Sequence, residues 1–175
     1  MIFVTVGTAD KGIDFTRLVQ AMDRVAGRLG ADVLIQRGPV DYEPVHARHV
    51  RFVTFGEALE LFRNADFIVG HCGTGTVLNA LRYAKPMIVV PRRRDAGELD
   101  SDDHQLQLAA QVAGMEGFRV VEDIEQLEAA VREFLKAGAP RPHASAERRR
   151  LMTAIREFLA PGPVPGGAAR SRDAG

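Results

Sequence analysis

At 175 residues, 46% hydrophobic and 26% charged, the chain has the size and composition of one globular domain, which excludes a disordered chain, a collagen and a coiled coil. Lys and Arg number 23 and so do Asp and Glu, for a net charge of +0; this balance is poor for wrapping duplex nucleic acid, and no nucleic-acid partner is expected. One cysteine, Cys72, cannot close an internal disulfide, no apolar run reaches the ~18 residues of a membrane span, and no basic segment leads into an apolar one as a secretory signal would.

Short β-branched runs alternate with helical patterns along the chain. The predicted strands are Ile2–Val6, Val33–Gln36, Val50–Phe55, Phe67–Gly70, Met87–Pro91 and Phe118–Val121, most of them near-continuously apolar, as strands covered on both faces are. After the first strand, Phe15, Leu18, Val19, Met22, Val25 and Leu29 recur at three- and four-residue steps and predict an amphipathic helix, with Asp14 as its cap and Gly30 as its stop. Arg37–His49 has two prolines and no period, and is expected to order only against something else. Glu57–Asn64 is a short helix with Ala58, Leu61 and Phe62 inward, and Thr76–Tyr83 is another, ending before Lys85-Pro86. Asp103–Val112, Ile124–Leu135 and Ala146–Leu159 complete the helices. Such alternation predicts an α/β domain over 1–160, a Rossmann-like and largely parallel sheet flanked by helices. Residues 161–175, rich in Pro and Gly without apolar periodicity, are expected to form a flexible tail.

In open α/β sheets, ligands bind beyond the carboxyl ends of the strands. Beyond the first strand, Gly7 and Thr8 start a turn running to Gly12, but Ile13 stands where a P-loop needs lysine, and no GxGxxG is present. Beyond the fourth, Gly70-His71-Cys72-Gly73-Thr74-Gly75-Thr76 runs into a helix. Glycines admit a ligand to the backbone, Thr74 and Thr76 carry hydroxyls, and helix N-terminal amides with the positive end of the dipole attract an anion. A diphosphate is the natural guest; a plain turn with capping threonines would not need so many glycines and hydroxyls together. His71 alone is a weak signal, and Cys72 reads as a small buried residue. Beyond the fifth strand come Arg92, Arg93 and Arg94, able to meet a phosphate or carboxylate, then His104 and Gln105 at a helix start. Histidines are scattered and no cysteine pair exists, so neither a metal nor a resident cofactor is expected.

The run from Phe67 to Thr76, then Lys85 to Arg92, then Asp103-His104-Gln105, preceded by Ile2–Thr8 with Asp14-Phe15 and Leu18-Val19, resembles the donor half of glycosyltransferase family 28. The resemblance covers about residues 1–135, and is nearest to the small catalytic subunits of split UDP-sugar transferases, in particular the bacterial exopolysaccharide types. It implies one half of a GT-B enzyme that uses a UDP-sugar without a metal. Gly73, Thr74, Gly75 and Thr76, with His71, would hold the donor diphosphate. His104, Gln105 and Arg92 would read the donor sugar, and Gly7 and Thr8 would line the cleft. Many family members carry a ribose-binding glutamate where Asn79 stands here, so Asn79 is the ribose candidate. No general base is identified; Asp10 and Asp14 are candidates by position. The implied reaction is inverting transfer to a lipid-linked acceptor in exopolysaccharide or capsule assembly. The chain is then expected to be cytoplasmic, recruited to the inner face of the membrane by a membrane-bound acceptor-binding subunit. Three arginines before the sugar-reading segment favour UDP-glucuronate as donor. The alternatives are a UDP-GlcNAc transferase of another glycolipid pathway, and a non-catalytic UDP-sugar-binding or regulatory subunit.

Overall fold

The computed structural model of the protein describes residues 1–7, 14–93, 97–98, 104–138 and 153. The strands are β1 (Ile2–Thr5), β2 (Val33–Gln36), β3 (Arg48–Val50), β4 (Phe67–Gly70), β5 (Met87–Val89) and β6 (Phe118–Val120). The helices are α1 (Thr16–Leu29), α2 (Phe55–Asn64), α3 (Thr74–Arg82), α4 (His104–Val112) and α5 (Leu127–Ala137), the last entered through a 3-10 turn at Ile124–Gln126. All six strands are parallel and lie in the order β3-β2-β1-β4-β5-β6. The order reverses between β1 and β4, which pair with Thr5 opposite Gly70.

Alternation along each strand sends side chains to two cores. Ile2, Val4, Val33, Ile35, Phe67, Val69 and Ile88 pack with α1 and α5, including the whole expected α1 stripe with Leu29 at its margin. Phe3, Ile68, Met87 and Val89 face the other way, against Phe62 of α2, Val77, Ala80 and Leu81 of α3, and Ala109 and Val112 of α4. Gly30 closes α1 in the left-handed conformation, φ 59°, which glycine adopts without a Cβ clash. Asp14, expected as the cap of α1, lies one residue before it: Phe15 is the N-cap and no side chain caps the helix, while Asp14 Oδ1 accepts from the Thr16 amide at 2.8 Å.

Several boundaries differ from the sequence reading. Val50–Phe55 is not a strand: β3 ends at Val50 and Phe55 opens α2. The cause is a capping box, in which the Glu57 amide donates to Thr54 Oγ1 and the Thr54 amide donates to Glu57 Oε2 at 2.7 Å. Its signature, Thr54-Phe55-Gly56-Glu57, was present in the sequence. Similarly α3 begins at Thr74, two residues earlier than expected, so Thr74, Gly75 and Thr76 form its first turn. Leu106 of α4 is exposed.

Nor does Arg37–His49 wait for a partner. The buried Asp23 carboxylate of α1 accepts from the Tyr42 hydroxyl at 2.7 Å and from the amides of Val45, His46 and Ala47 at 2.7–3.0 Å. Burial pushes that carboxyl up, but these four donors outweigh it and hold it below its ordinary range. Arg37 adds bonds to the Val40 carbonyl and to Glu43. The expected helix Ala146–Leu159, apart from the helical Thr153, and the tail 161–175 lie outside the described residues.

Candidate functional site

Beyond the carboxyl ends of β1 and β4, where the strand order reverses, lies a cavity of about 350 Å³. That is the place where open α/β sheets hold ligands, and the volume lies within the ~300–1,000 Å³ of small-molecule sites. Phe3, Phe62 and Ala58 give it apolar walls, and Phe52 and Phe55, 56% and 73% exposed, stand at the rim. Thr5, Gln36, His71, Thr76 and Asn79 bring polar groups into the same space, with Gly7 and Gly75 beside them.

The β1 side is built by a short relay. Thr5 Oγ1 donates to Gln36 Oε1 at 2.6 Å, Gln36 Nε2 donates to the Gly7 carbonyl at 3.1 Å, and the Gly7 amide donates back to Thr5 Oγ1 at 3.0 Å. The relay pins Gly7 at φ 83°, a conformation only glycine adopts freely.

On the β4 side, each glycine has its own reason. A Cβ on Gly70 would sit 2.8 Å from the Thr5 carbonyl, so the β1–β4 pairing itself requires a glycine there. A Cβ on Gly73 would sit 2.2 Å from His71 Nε2, and one on Gly7 would sit 2.5 Å from His71 Cε1. The imidazole therefore lies between the two glycine turns and joins them. A Cβ on Gly75 would meet nothing within 4 Å, so its bareness answers no demand of the fold and leaves the first turn of α3 open.

That first turn is uncapped, as is that of α1. Gly73 is the N-cap of α3, and among the described residues no side chain caps the helix and no acidic residue lies in its first turn. By contrast, α2 carries a complete capping box. The amides of Thr74, Gly75 and Thr76 thus keep their hydrogen-bonding capacity for an outside acceptor, at the positive end of the helix.

His71 adds a donor. Its Nδ1 is sealed from solvent and has no partner among the described residues. Burial, aided by the nearby Arg92 charge and opposed by the Thr5 backbone, lowers its pKa to about 3. The ring is neutral at pH 7, with one N–H to give and one nitrogen to accept. Cys72 is buried in the core that also holds Phe3 and Phe62, and burial pushes its thiol up to about 12, so it is not a nucleophile at neutral pH.

Of the residues the sequence pointed to, Gly7, His71, Gly75, Thr76 and Asn79 line this one cavity, with Gly73 and Thr74 between them in the chain. Asn79 donates its amide to the Gly75 carbonyl at 2.9 Å. Arg92 is a correction. Its side chain is not among the lining groups but is buried, the residue only 3% exposed. It stacks 5.3 Å from the Phe15 ring centre and donates to the Val6 carbonyl. Burial lowers its pKa to about 10, with Glu98 pulling the other way, so at neutral pH it is a cation beneath the site. The Arg92 amide meets Gln105 Oε1 at 3.4 Å, which puts Gln105 and the backbone of His104 beyond β5, one strand over from the cavity. Thr8, Asp10 and Arg94 lie outside the described residues, as does the side chain of His104. Thr5, Gln36 and the segment Phe52–Phe55 were not singled out from the sequence. Only the relay and the capping box mark them.

Among the described residues no cluster of His, Cys, Asp or Glu could hold a metal, and no helix is long and apolar enough to cross a membrane. A family model, the glycosyltransferase family 28 C-terminal domain, matches residues 1–156. A UDP-N-acetylglucosamine transferase subunit, ALG13 of Cryptococcus neoformans, is 37% identical over 78 residues, which is 43% of this chain and 36% of that protein. The NMR solution structure of ALG13 superposes with a TM-score of 0.59 at 17% identity, over 88% of this chain and 93% of that one. The crystal structure of the glycotransferase of kitacinnamycin also gives 0.59, at 19% identity, over 89% of this chain but only 39% of its own.

Proposed function

The chain belongs to the glycosyltransferase family 28 C-terminal domain family, and from that premise we propose that it is the donor-binding half of a UDP-sugar glycosyltransferase. The observation that carries the reading is the uncapped first turn of α3, open beside the neutral His71 ring at the sheet's switch point. The open amides there suit a diphosphate, and the adjoining cavity, with aromatic walls and amide groups from Gln36 and Asn79, suits the flat base and ribose.

In the transfer, an acceptor hydroxyl attacks the anomeric carbon from the face opposite UDP. The bond from that carbon to the diphosphate oxygen breaks, and negative charge grows on the diphosphate. The α3 amides, beside the neutral His71 ring, meet this charge in place, and the buried Arg92 cation supports it from below without contact. The acceptor's proton goes to a base not placed among the described residues: Asp14 is engaged at the start of α1, and Asp10 lies outside them. We assign that base, and the acceptor site, to a second subunit. A membrane-bound partner, a lipid-linked acceptor and recruitment to the inner membrane face belong to the same proposal, as does a place in exopolysaccharide assembly.

For the donor sugar, the expectation of UDP-glucuronate leaned on a clamp of arginines. With Arg92 committed to Val6 and Phe15, that support shrinks to its neighbours. UDP-GlcNAc, which the ALG13 relative's name points to, becomes the first donor to try, with UDP-glucuronate beside it. Calorimetry with UDP and NAD tests the nucleotide. The expected result is UDP binding without NAD binding, and the reverse overturns the reading. Transfer assays with and without a co-expressed membrane subunit test the division, which full activity of the single chain on a soluble acceptor would refute.

A further inference from the structure

We propose that the ion pair between Arg17 and Glu98 is a positioning clamp, which holds the segment after β5 against α1 and so sets the sugar-reading side of the site relative to the diphosphate side. The proposal rests on the UDP-sugar reading above and deepens it.

Arg17 lies in the first turn of α1, and 81 residues later Glu98 lies between β5 and α4. Arg17 Nε donates to Glu98 Oε1 at 2.6 Å and Arg17 Nη2 donates to Glu98 Oε2 at 3.0 Å, a two-point fork. The same Nη2 donates to the Pro91 carbonyl at 2.8 Å. Glu98 Oε2 also accepts from the Arg93 amide at 2.7 Å, and the Glu98 amide donates to the Arg93 carbonyl at 3.1 Å. One carboxylate thus ties α1 to both ends of a short stretch of chain. Phe15, fully buried, is covered by the Arg17 and Arg92 guanidinium groups, each 5.3 Å from its ring centre. Through Arg92 the network reaches the Val6 carbonyl on one side and Gln105 on the other.

The Glu98 side chain is only 5% exposed. A buried ion pair gains little net stability over apolar residues of the same size, because both charges lose their water. What a two-point fork supplies that an apolar contact does not is a defined distance and angle. Here it fixes Pro91–Arg93, and with it the Gln105 end of α4, relative to the Gly7 turn.

Two variants of the full chain test this. Glu98→Gln keeps the shape and removes the charge. Arg17→Lys keeps the charge pair and removes the fork. Amide hydrogen exchange should quicken at least tenfold at Arg92, Arg93 and residues 104–108 in both, with α5 unchanged. If UDP binds wild type, both variants should hold UDP within threefold of it and lose at least tenfold in affinity for UDP-GlcNAc. Arg17→Lys should melt within about 3 °C of wild type, a shift that corresponds to ~1 kcal/mol or less, so it carries the test if Glu98→Gln does not fold. Unchanged exchange at Arg92, Arg93 and residues 104–108 overturns the clamp whatever the ligand. Equal loss for UDP and UDP-GlcNAc overturns its positioning role while leaving the UDP-sugar reading intact. Failure of wild type to bind either ligand, with the exchange result as expected, overturns the UDP-sugar reading and the donor role of the clamp, while leaving the tether itself standing.

Discussion

Replacing Gly73 by alanine puts a methyl carbon 2.2 Å from His71 Nε2. Non-bonded heavy atoms settle at about 3.5–4.0 Å, so the ring or the start of α3 must move by more than ~1 Å. Overpacking of this kind costs about 1–3 kcal/mol. Alanine is also a poorer N-cap than glycine, by about 0.5–1 kcal/mol. Backbone strain adds nothing, because φ at Gly73 is −83°. Gly73→Ala should therefore lose about 1.5–4 kcal/mol in the wild-type background but only about 0.5–1 kcal/mol when His71 is already alanine. The coupling of about 1–3 kcal/mol is the signature of direct contact. Gly7 provides a control in the same assay. Its Cβ would also strike His71, at 2.5 Å, but its φ of 83° strains any other residue whatever the space. Gly7→Ala should keep a penalty of about 1 kcal/mol or more after the ring is removed. Urea unfolding of the single and double variants gives all four differences. Equal cost of Gly73→Ala in both backgrounds, within about 0.5 kcal/mol, would refute the placement of His71 between the two turns.

His71 also carries a pH dependence. Its folded pKa of about 3 lies below the ordinary 6.5, so between those values the unfolded chain binds the proton that the native ring refuses. Stability should fall as pH drops below 6.5, by up to about 1.4 kcal/mol per unit from this group, and wild type should lose more than His71→Ala between about pH 7 and pH 5 in urea titrations. Asp23→Asn replaces an acceptor of four hydrogen bonds by a group that must also donate. It should cost about 2–4 kcal/mol and raise amide exchange at residues 45–47, and retained protection there would show that the loop holds without the carboxylate. Gln105→Ala should weaken UDP-sugar binding by about 0.5–1.5 kcal/mol and leave UDP alone nearly unchanged. Equal loss for both ligands by calorimetry would place Gln105 at the nucleotide.

What the sequence by itself determined was the periodic part of the molecule. Two-sided burial makes β2 and β4 read as continuous apolar runs, and those two strands appear at their expected boundaries, Val33–Gln36 and Phe67–Gly70. The α1 stripe and its Gly30 stop follow from helical spacing and from glycine's freedom at positive φ. The glycine turns were legible as a site because strand ends and helix starts are where a parallel sheet leaves backbone groups open. Tertiary structure alone decided what each group does there. Three glycines around His71 look alike in the sequence, yet Gly70 serves strand pairing, Gly73 makes room for a ring, and Gly75 answers only to what comes from outside. The sequence placed Arg92 beside the donor because arginine suits phosphate. The fold instead brought Val6, Phe15 and Glu98 around it from distant parts of the chain and drew it into the interior. Asp23 and the loop it organises are separated by about 20 residues, and no local pattern records that a carboxylate on α1 will face three amides. These contacts depend on how the layers stack, and stacking is a property of the assembled sheet, not of any window along the chain.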